Sequence, residues 1–161
     1  MIRYARTADR PAIAKVVEAA FGRADEARIV ERLRADGDAM FELVAEADGA
    51  LVGHVMFSRL WADRSELYTA LGPMAVRPDV QRSGIGSGLV RAGLESAPEF
   101  GAVGVLVLGH TGYYPRFGFT AAAAAQVASP FQGLPAFMAL GLAAGAFAAP
   151  MTVAYPDAFG T

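Results

Sequence analysis

The sequence predicts an α/β domain, and three observations carry that expectation. Alternating apolar and polar stretches occur near the N-terminus and on both sides of Asp48-Gly49. Stretches with apolar residues at helical spacing lie between and after them. Val103-Gly104-Val105-Leu106-Val107-Leu108 is a near-continuous apolar run, the pattern of a parallel strand buried on both faces.

Taken in order, Ile2-Arg3-Tyr4-Ala5-Arg6 alternates and reads as a first strand. Thr7 or Asp9 then caps a helix with Pro11 in its first turn, carrying Ile13, Val16, Val17 and Ala20 on one face and ending at Gly22. A second helix from Asp25 to Ala35 sets Ile29, Val30 and Leu33 together, and Gly37 ends it. Phe41 to Ala47 and Leu51 to Leu60 flank Asp48-Gly49, a dipeptide suited to a type I′ hairpin turn. Glu66 to Val76 is a further strand, and Gly72-Pro73 within it predicts a bulge or a parting from its neighbour, because proline removes a ladder donor. A helix from Gly84 to about Ala97, stopped by Pro98, leads to the strand at Val103. Strand, glycine loop, helix and strand in that order predict a right-handed crossover between parallel neighbours. The remainder holds a short turn at Tyr113 to Phe117, an alanine run from Ala121 to Ala125, and two last strands near Phe137 to Leu142 and Met151 to Tyr155. No linker or repeat divides the chain, so residues 1–161 are expected to form one domain.

Composition narrows the function classes. At 161 residues, 54% apolar and 19% charged, the chain can bury a full core. A formal charge of −2 offers no basic footprint for nucleic acid or for anionic lipid. The absence of cysteine excludes disulfides, thiolate metal sites and a cysteine nucleophile, and is compatible with a reducing cytoplasm. Met1-Ile2-Arg3-Tyr4-Ala5-Arg6 lacks a signal-peptide core. Leu134 to Met151 is uncharged, yet its prolines at 135 and 150 and glycines at 141 and 145 favour buried strands or loops over a membrane span.

The segment Gln81-Arg82-Ser83-Gly84-Ile85-Gly86-Ser87 is where chemistry enters. A helix opening at Gly84 leaves its first N–H groups without helical partners and has the positive end of its dipole behind them. Glycines at 84 and 86 admit a pyrophosphate to those donors, and Arg82 adds charge beside them. The spacing is neither that of a Rossmann loop, because Leu89 stands where the third glycine is needed, nor that of a P-loop, because Lys15 is the only lysine.

Met74-Ala75-Val76-Arg77-Pro78-Asp79-Val80 followed by that loop resembles the signature of the GCN5-related N-acetyltransferases, Gln/Arg-x-x-Gly-x-Gly/Ala after an apolar strand. Tyr114-Pro115-Arg116-Phe117-Gly118-Phe119 resembles the same family's Tyr-x-x-x-Gly-Phe segment, at the separation that one helix, one strand and a turn consume. Together with Leu71-Gly72-Pro73-Met74-Ala75-Val76 and Val153 to Phe159, the wording resembles the bacterial YhbS-type members more narrowly. The resemblance is strongest from Leu71 to Phe119 and thin from Ala121 to Leu134.

That resemblance implies a mixed, mostly antiparallel central sheet with a splayed parallel pair of strands and flanking helices. It implies a transfer of acetyl from acetyl-coenzyme A directly to an amine of a small molecule or a protein. The backbone of Met74, Ala75 and Val76 is expected at the pantetheine arm, and Gln81, Arg82, Ser83, Gly84, Ile85, Gly86 and Ser87 at the pyrophosphate. His110, at the carboxyl end of a strand, and Phe117 are expected against the cofactor. Tyr114 matches the general acid, its phenol being protonated at neutral pH; the alternative is a ring that packs beside Phe117 and Phe119. The base is open between His54 and ordered water; Glu66, at the start of the central strand, is expected too far from the reacting end. Asp25, Glu26 and Arg28 line an acceptor cleft or are a solvated helix face. Phe131, Phe137 and Phe147 shape an apolar pocket, complete the core or support a homodimer. A module that binds acyl-CoA without turnover is the competing function.

Overall fold

The computed structural model describes residues 1–161, and these fall into two units. One holds Met1–Ser58 and Gly72–Glu95, the other Arg59–Leu71 and Ser96–Thr161.

In the first unit, β1 (Ile2–Tyr4) is followed by α1 (Arg10–Phe21), α2 (Asp25–Ala35), β2 (Ala39–Ala47) and the larger part of β3 (Ala50–Ala62). β1 pairs antiparallel with β2, and β2 antiparallel with β3. Asp48 and Gly49 both have positive φ, 52° and 75°, as the expected type I′ turn requires. Gly22 ends α1 in a left-handed conformation that caps the last turn through Glu18 O. α1 buries Ile13, Val16 and Val17. On α2 the buried set is Ala27, Val30 and Leu33; Ile29 is half-buried, because the face turned inward lies one position away from the one the larger side chain suggested.

The Asp9 cap differs from expectation as well. Its carboxylate takes two N–H bonds from Arg3, at 2.7 and 2.9 Å, and one from the Arg6 backbone at 2.7 Å, closing the short 3-10 turn Thr7–Asp9 instead of capping α1. Arg3 also bonds Glu46, so one guanidinium ties β1 to both this turn and β2. The Arg3 and Arg6 donors hold the Asp9 carboxyl at about 2.

A second cluster joins α2 to β2 and β3. Glu42 accepts a two-pronged bond from Arg34, at 2.9 and 2.7 Å, and a third bond at 2.8 Å from His54 Nε2. An ionised carboxylate only accepts, so Nε2 carries the His54 proton. His54 is fully buried and its Nδ1 has no partner. Burial disfavours ionisation of Glu42, yet the bonds from Arg34 and His54 outweigh it and hold the carboxyl at about 2. Burial lowers the His54 pKa despite Glu42.

The sign of both shifts is the same for stability. Each group binds fewer protons folded than unfolded, so the stabilisation is present above the unfolded pKa and is lost on acidification. We expect stability to begin falling below about pH 6.5 as unfolded His54 gains its proton, and to fall further between about 4.5 and 2 as Glu42 is forced neutral. Glu42→Leu strands Arg34 and His54 together and should cost about 3–5 kcal/mol, read by urea denaturation. A midpoint that does not move with pH between 7 and 4, or with this substitution, would overturn the assignment.

In the second unit the first half of β4 (Leu67–Val76) pairs in parallel with β5 (Ala102–Leu108), and β5 pairs antiparallel with β7 (Phe137–Gly141). The parallel pairing runs from Leu67 opposite Ala102 to Leu71 opposite Val107, and so ends on the residue before Gly72-Pro73. The register shift lies at Leu67/Tyr68, at the opposite end of that pairing from the expected bulge. The last residues of β3 pair with β8 (Met151–Ala154), and β8 pairs in parallel with β6 (Val127–Ala128), a two-residue strand too short to show a period in the sequence.

Tyr68, Leu106, Val127, Phe137, Ala139 and Met151 form this unit's core, with Phe131, Phe147 and Tyr155 packed on it. The uncharged stretch after Leu134 is thus a core strand and a turn-rich loop. No helix is long and apolar enough to cross a membrane. Trp61, the only tryptophan, is 42% exposed on β3, with the Arg59 guanidinium 5.3 Å from its ring centre.

Candidate active site

The expected pyrophosphate loop joins the end of β4 to α3 (Ile85–Ser96). Its first part is fixed from below. Arg77 N donates to Val52 O of β3 at 2.8 Å, and the Arg77 guanidinium grips both oxygens of Asp79. The Gln81 side chain reaches back and donates to Val76 O at 2.9 Å, and Ser83 Oγ donates to Val80 O. Gln81 and Ser83 therefore close the loop on itself with their side chains.

Two residues of the loop have positive φ, Arg82 at 62° and Gly84 at 88°. The first is unusual for a residue with a Cβ. Gly88 N donates to Gly84 O at 3.0 Å, which places Ile85 N and Gly86 N ahead of that bond in the first turn of α3. Behind them α3 buries Leu89, Val90 and Gly93. Gln81, Arg82, Ser83 and Gly84 are exposed, and Ile85, Gly86 and Ser87 half-buried. Of the strand residues, Ala75 is buried while Met74 and Val76 are half-exposed. An exposed loop of peptide N–H groups at a helix start, with one guanidinium and no carboxylate among residues 80–87, fits a pyrophosphate.

The second unit holds His110, Tyr114 and Phe117. Gly109-His110 follow β5, and the 3-10 turn Tyr114–Phe117 opens with Tyr113 N and Tyr114 N donating to His110 O. Tyr114 is 7% exposed. Its ring meets Tyr113 edge-on at 5.1 Å and Phe119 at 5.8 Å, with Phe117 at 6.3 Å. Arg116 lies over the Tyr113 ring at 4.5 Å and donates to Tyr113 O, so that ring is itself fixed. Burial first, and then Tyr113, push the Tyr114 phenol up to about 12. The two sequence readings of Tyr114, acid or packed ring, are therefore not alternatives: the ring is packed and the phenol stays protonated.

His110 is exposed and Phe117 half-buried in this turn. His54 lies in the Glu42–Arg34 cluster of the first unit, where a fully buried ring with its proton committed to Glu42 is in the position of a structural residue. Asp25, Glu26 and Arg28 sit at the start of α2 and pair with each other or with Arg23, at 2.6 to 3.9 Å. These are surface pairs of small energetic weight. Phe131, Phe137 and Phe147 belong to the core of the second unit.

Two features escaped sequence reading. Glu42, a lone carboxylate inside the strand Phe41-Glu42-Leu43-Val44, was the visible sign of the buried cluster. Gly109 left no sign, because a glycine after a strand reads as an ordinary turn residue.

The comparisons agree with one another. The acetyltransferase (GNAT) family matches residues 10–119. The N-acetyltransferase YjhQ of Escherichia coli K12 is 40% identical over 116 residues, 69% of this chain, and the match spans 64% of that protein's own length, a little under two thirds. The N-acetyltransferase YhbS of the same strain is 36% identical over 125 residues, 76% of this chain and 75% of its own. The crystal structure of YhbS from Escherichia coli in complex with CoA matches with a TM-score of 0.91 at 32% identity, covering 100% of this chain and 92% of that one. A GNAT family acetyltransferase from Brucella melitensis in complex with acetyl-CoA gives 0.83 at 36% identity, over 99% and 97%. On these matches the chain belongs to the GNAT family of acetyltransferases.

Proposed function

We propose that residues 1–161 act as one N-acetyltransferase domain, taking acetyl from acetyl-CoA and passing it directly to an amine of a small molecule or a protein. The observation that carries this is the exposed loop Gln81–Gly84, closed internally by the Gln81 and Ser83 side chains and leading into the first turn of α3, whose N–H groups precede the first helical bond. The relatives crystallised with CoA and acetyl-CoA support the same donor.

In this reading the loop holds the pyrophosphate, and the backbone of Met74, Ala75 and Val76 holds the pantetheine arm. The acceptor nitrogen attacks the thioester carbonyl carbon, the C–N bond forms and the C–S bond breaks with its electron pair going to sulfur. Tyr114 is the proposed source of the proton that makes the departing sulfur a thiol; the acceptor nitrogen gives up a proton to water, and solvent restores the phenol. No acyl-enzyme is needed, in keeping with the absence of cysteine. His110 and Phe117 serve as cofactor contacts. A cytoplasmic location accompanies the proposal, since the reaction depends on a supply of the thioester.

A thermal-shift series with acetyl-CoA, CoA, ATP and NAD tests the proposal. At about 100 times its Kd a ligand stabilises by roughly 2.7 kcal/mol, a rise of several degrees for a chain of this size. We expect that rise with both CoA species and none with NAD. No rise at millimolar CoA would sink the reading, and a rise without thiol release against any amine panel would favour a binding module.

A further inference from the structure

We infer that Gly109 is a positioning residue for the proposed acid: its lack of a side chain leaves the Tyr114 ring the space in which it lies. This rests on the reading of Tyr114 given above and deepens it.

The Tyr114 ring has neighbours in several directions. Tyr113 stands edge-on to it, pinned by Arg116, and Phe119, fully buried, bars retreat inward. Phe117 lies tilted to it at 6.3 Å, and the backbone of Gly109 comes close enough that a side chain there would overlap the ring. A Cβ built there falls 2.8 Å from Tyr114 Cδ2 and closer still to Cε2, inside any separation that carbon atoms tolerate. Both atoms are ring carbons rather than the end of a flexible chain, so the ring as a whole must shift.

The backbone does not account for this glycine. Gly109 is absent from the positive-φ residues, so its conformation is open to any L residue. Its N–H donates to Ala136 O at 3.0 Å, a bond that alanine would keep. What alanine cannot keep is the position of the ring. Nearby, Gly112 has neither a positive φ nor any atom within 4 Å of a built Cβ, and serves as a matched control.

The position matters because a proton donor acts over a short range. A misplacement of about 1 Å can cost on the order of 10²-fold in rate. We therefore expect Gly109→Ala to lower kcat by tenfold to a hundredfold with the KM for acetyl-CoA within about twofold, and Gly112→Ala to change neither. In a Tyr114→Phe background Gly109→Ala should cost nothing more in kcat, since both act through one hydroxyl.

A spectral titration gives a readout that a merely structural role would not move. The difference between the protein with and without Tyr114→Phe isolates that phenol, and in Gly109→Ala its midpoint should fall from about 12 toward 10 as the ring is pushed to solvent. Wild-type kcat in Gly109→Ala overturns the inference, as does an unmoved midpoint. If Tyr114→Phe itself leaves kcat unchanged, the acid reading fails first and takes the inference with it. Should Gly109→Ala not fold, the pair Gly109→Ala with Tyr114→Leu removes the overlap. Recovery of a cooperative melt would then support the contact, and failure to recover would overturn it.

Discussion

Tyr114→Phe is expected to lower kcat by about 10²–10⁴-fold, the usual effect of removing a general acid, while leaving the KM for acetyl-CoA nearly unchanged. The substitution is clean because phenylalanine keeps the ring and its edge contacts with Tyr113 and Phe119. It removes only the hydroxyl. The phenol is pushed up to about 12 by burial and by Tyr113, so wild-type activity should show no alkaline loss from this group below about pH 11. Steady-state rates at saturating acetyl-CoA, followed by released thiol, provide the measurement. A Tyr114→Phe protein within a few-fold of wild type would remove the acid from the mechanism and leave stabilisation of the sulfur to solvent or backbone.

The second large effect is expected at Gly84, and it should fall on binding rather than on rate. Gly84 has φ of 88°, a region that costs an L side chain about 1–2 kcal/mol, and a built Cβ meets nothing within 4 Å. Without ligand, Gly84→Val therefore acts through the backbone, more severely than alanine because it is β-branched. With CoA its side chain also stands where the pyrophosphate is proposed to reach the loop. The cost appears in one of two places. If the loop relaxes when empty, the cofactor must restore its shape on binding, and the Kd for CoA rises about tenfold or more. If the loop cannot relax, the penalty lowers the melting temperature instead. Calorimetric titration with CoA beside thermal denaturation separates the two. Unchanged values in both would mean that the loop geometry is not required, and the pyrophosphate assignment would lose its physical basis.

How far the sequence carried the reader depends on the range of the interaction involved. The Asp48-Gly49 turn, the end of α1 at Gly22 and the order of strand, loop and helix around Gly84 are fixed by local backbone chemistry, and all were legible. The motif singled out Tyr114 as a candidate acid, and the structure adds that its ring is packed among Tyr113 and Phe119. Asp9 was misread because its carboxylate meets Arg3 on β1, a partner that helix-capping rules do not consider. Glu42 and His54 lie 12 residues apart and meet across two paired strands, with Arg34 coming from a helix. β6 was invisible because two residues carry no period, and its partner β8 lies more than twenty positions away. The outward side of Gly109 is defined by a ring five residues later, which no spacing rule encodes.

The single tryptophan turns the division of the chain into something that can be watched. Trp61 reports from the second unit, half in water and beside Arg59, so its emission will start red-shifted and change only when its own surroundings come apart. Far-ultraviolet dichroism, by contrast, is dominated by α1, α2 and α3, which lie in the first unit except for the last residue of α3. One denaturant series read by both signals therefore compares the two halves of the chain without any label or mutation. Superimposed curves mean one cooperative fold, and separated curves mean that one half survives the other.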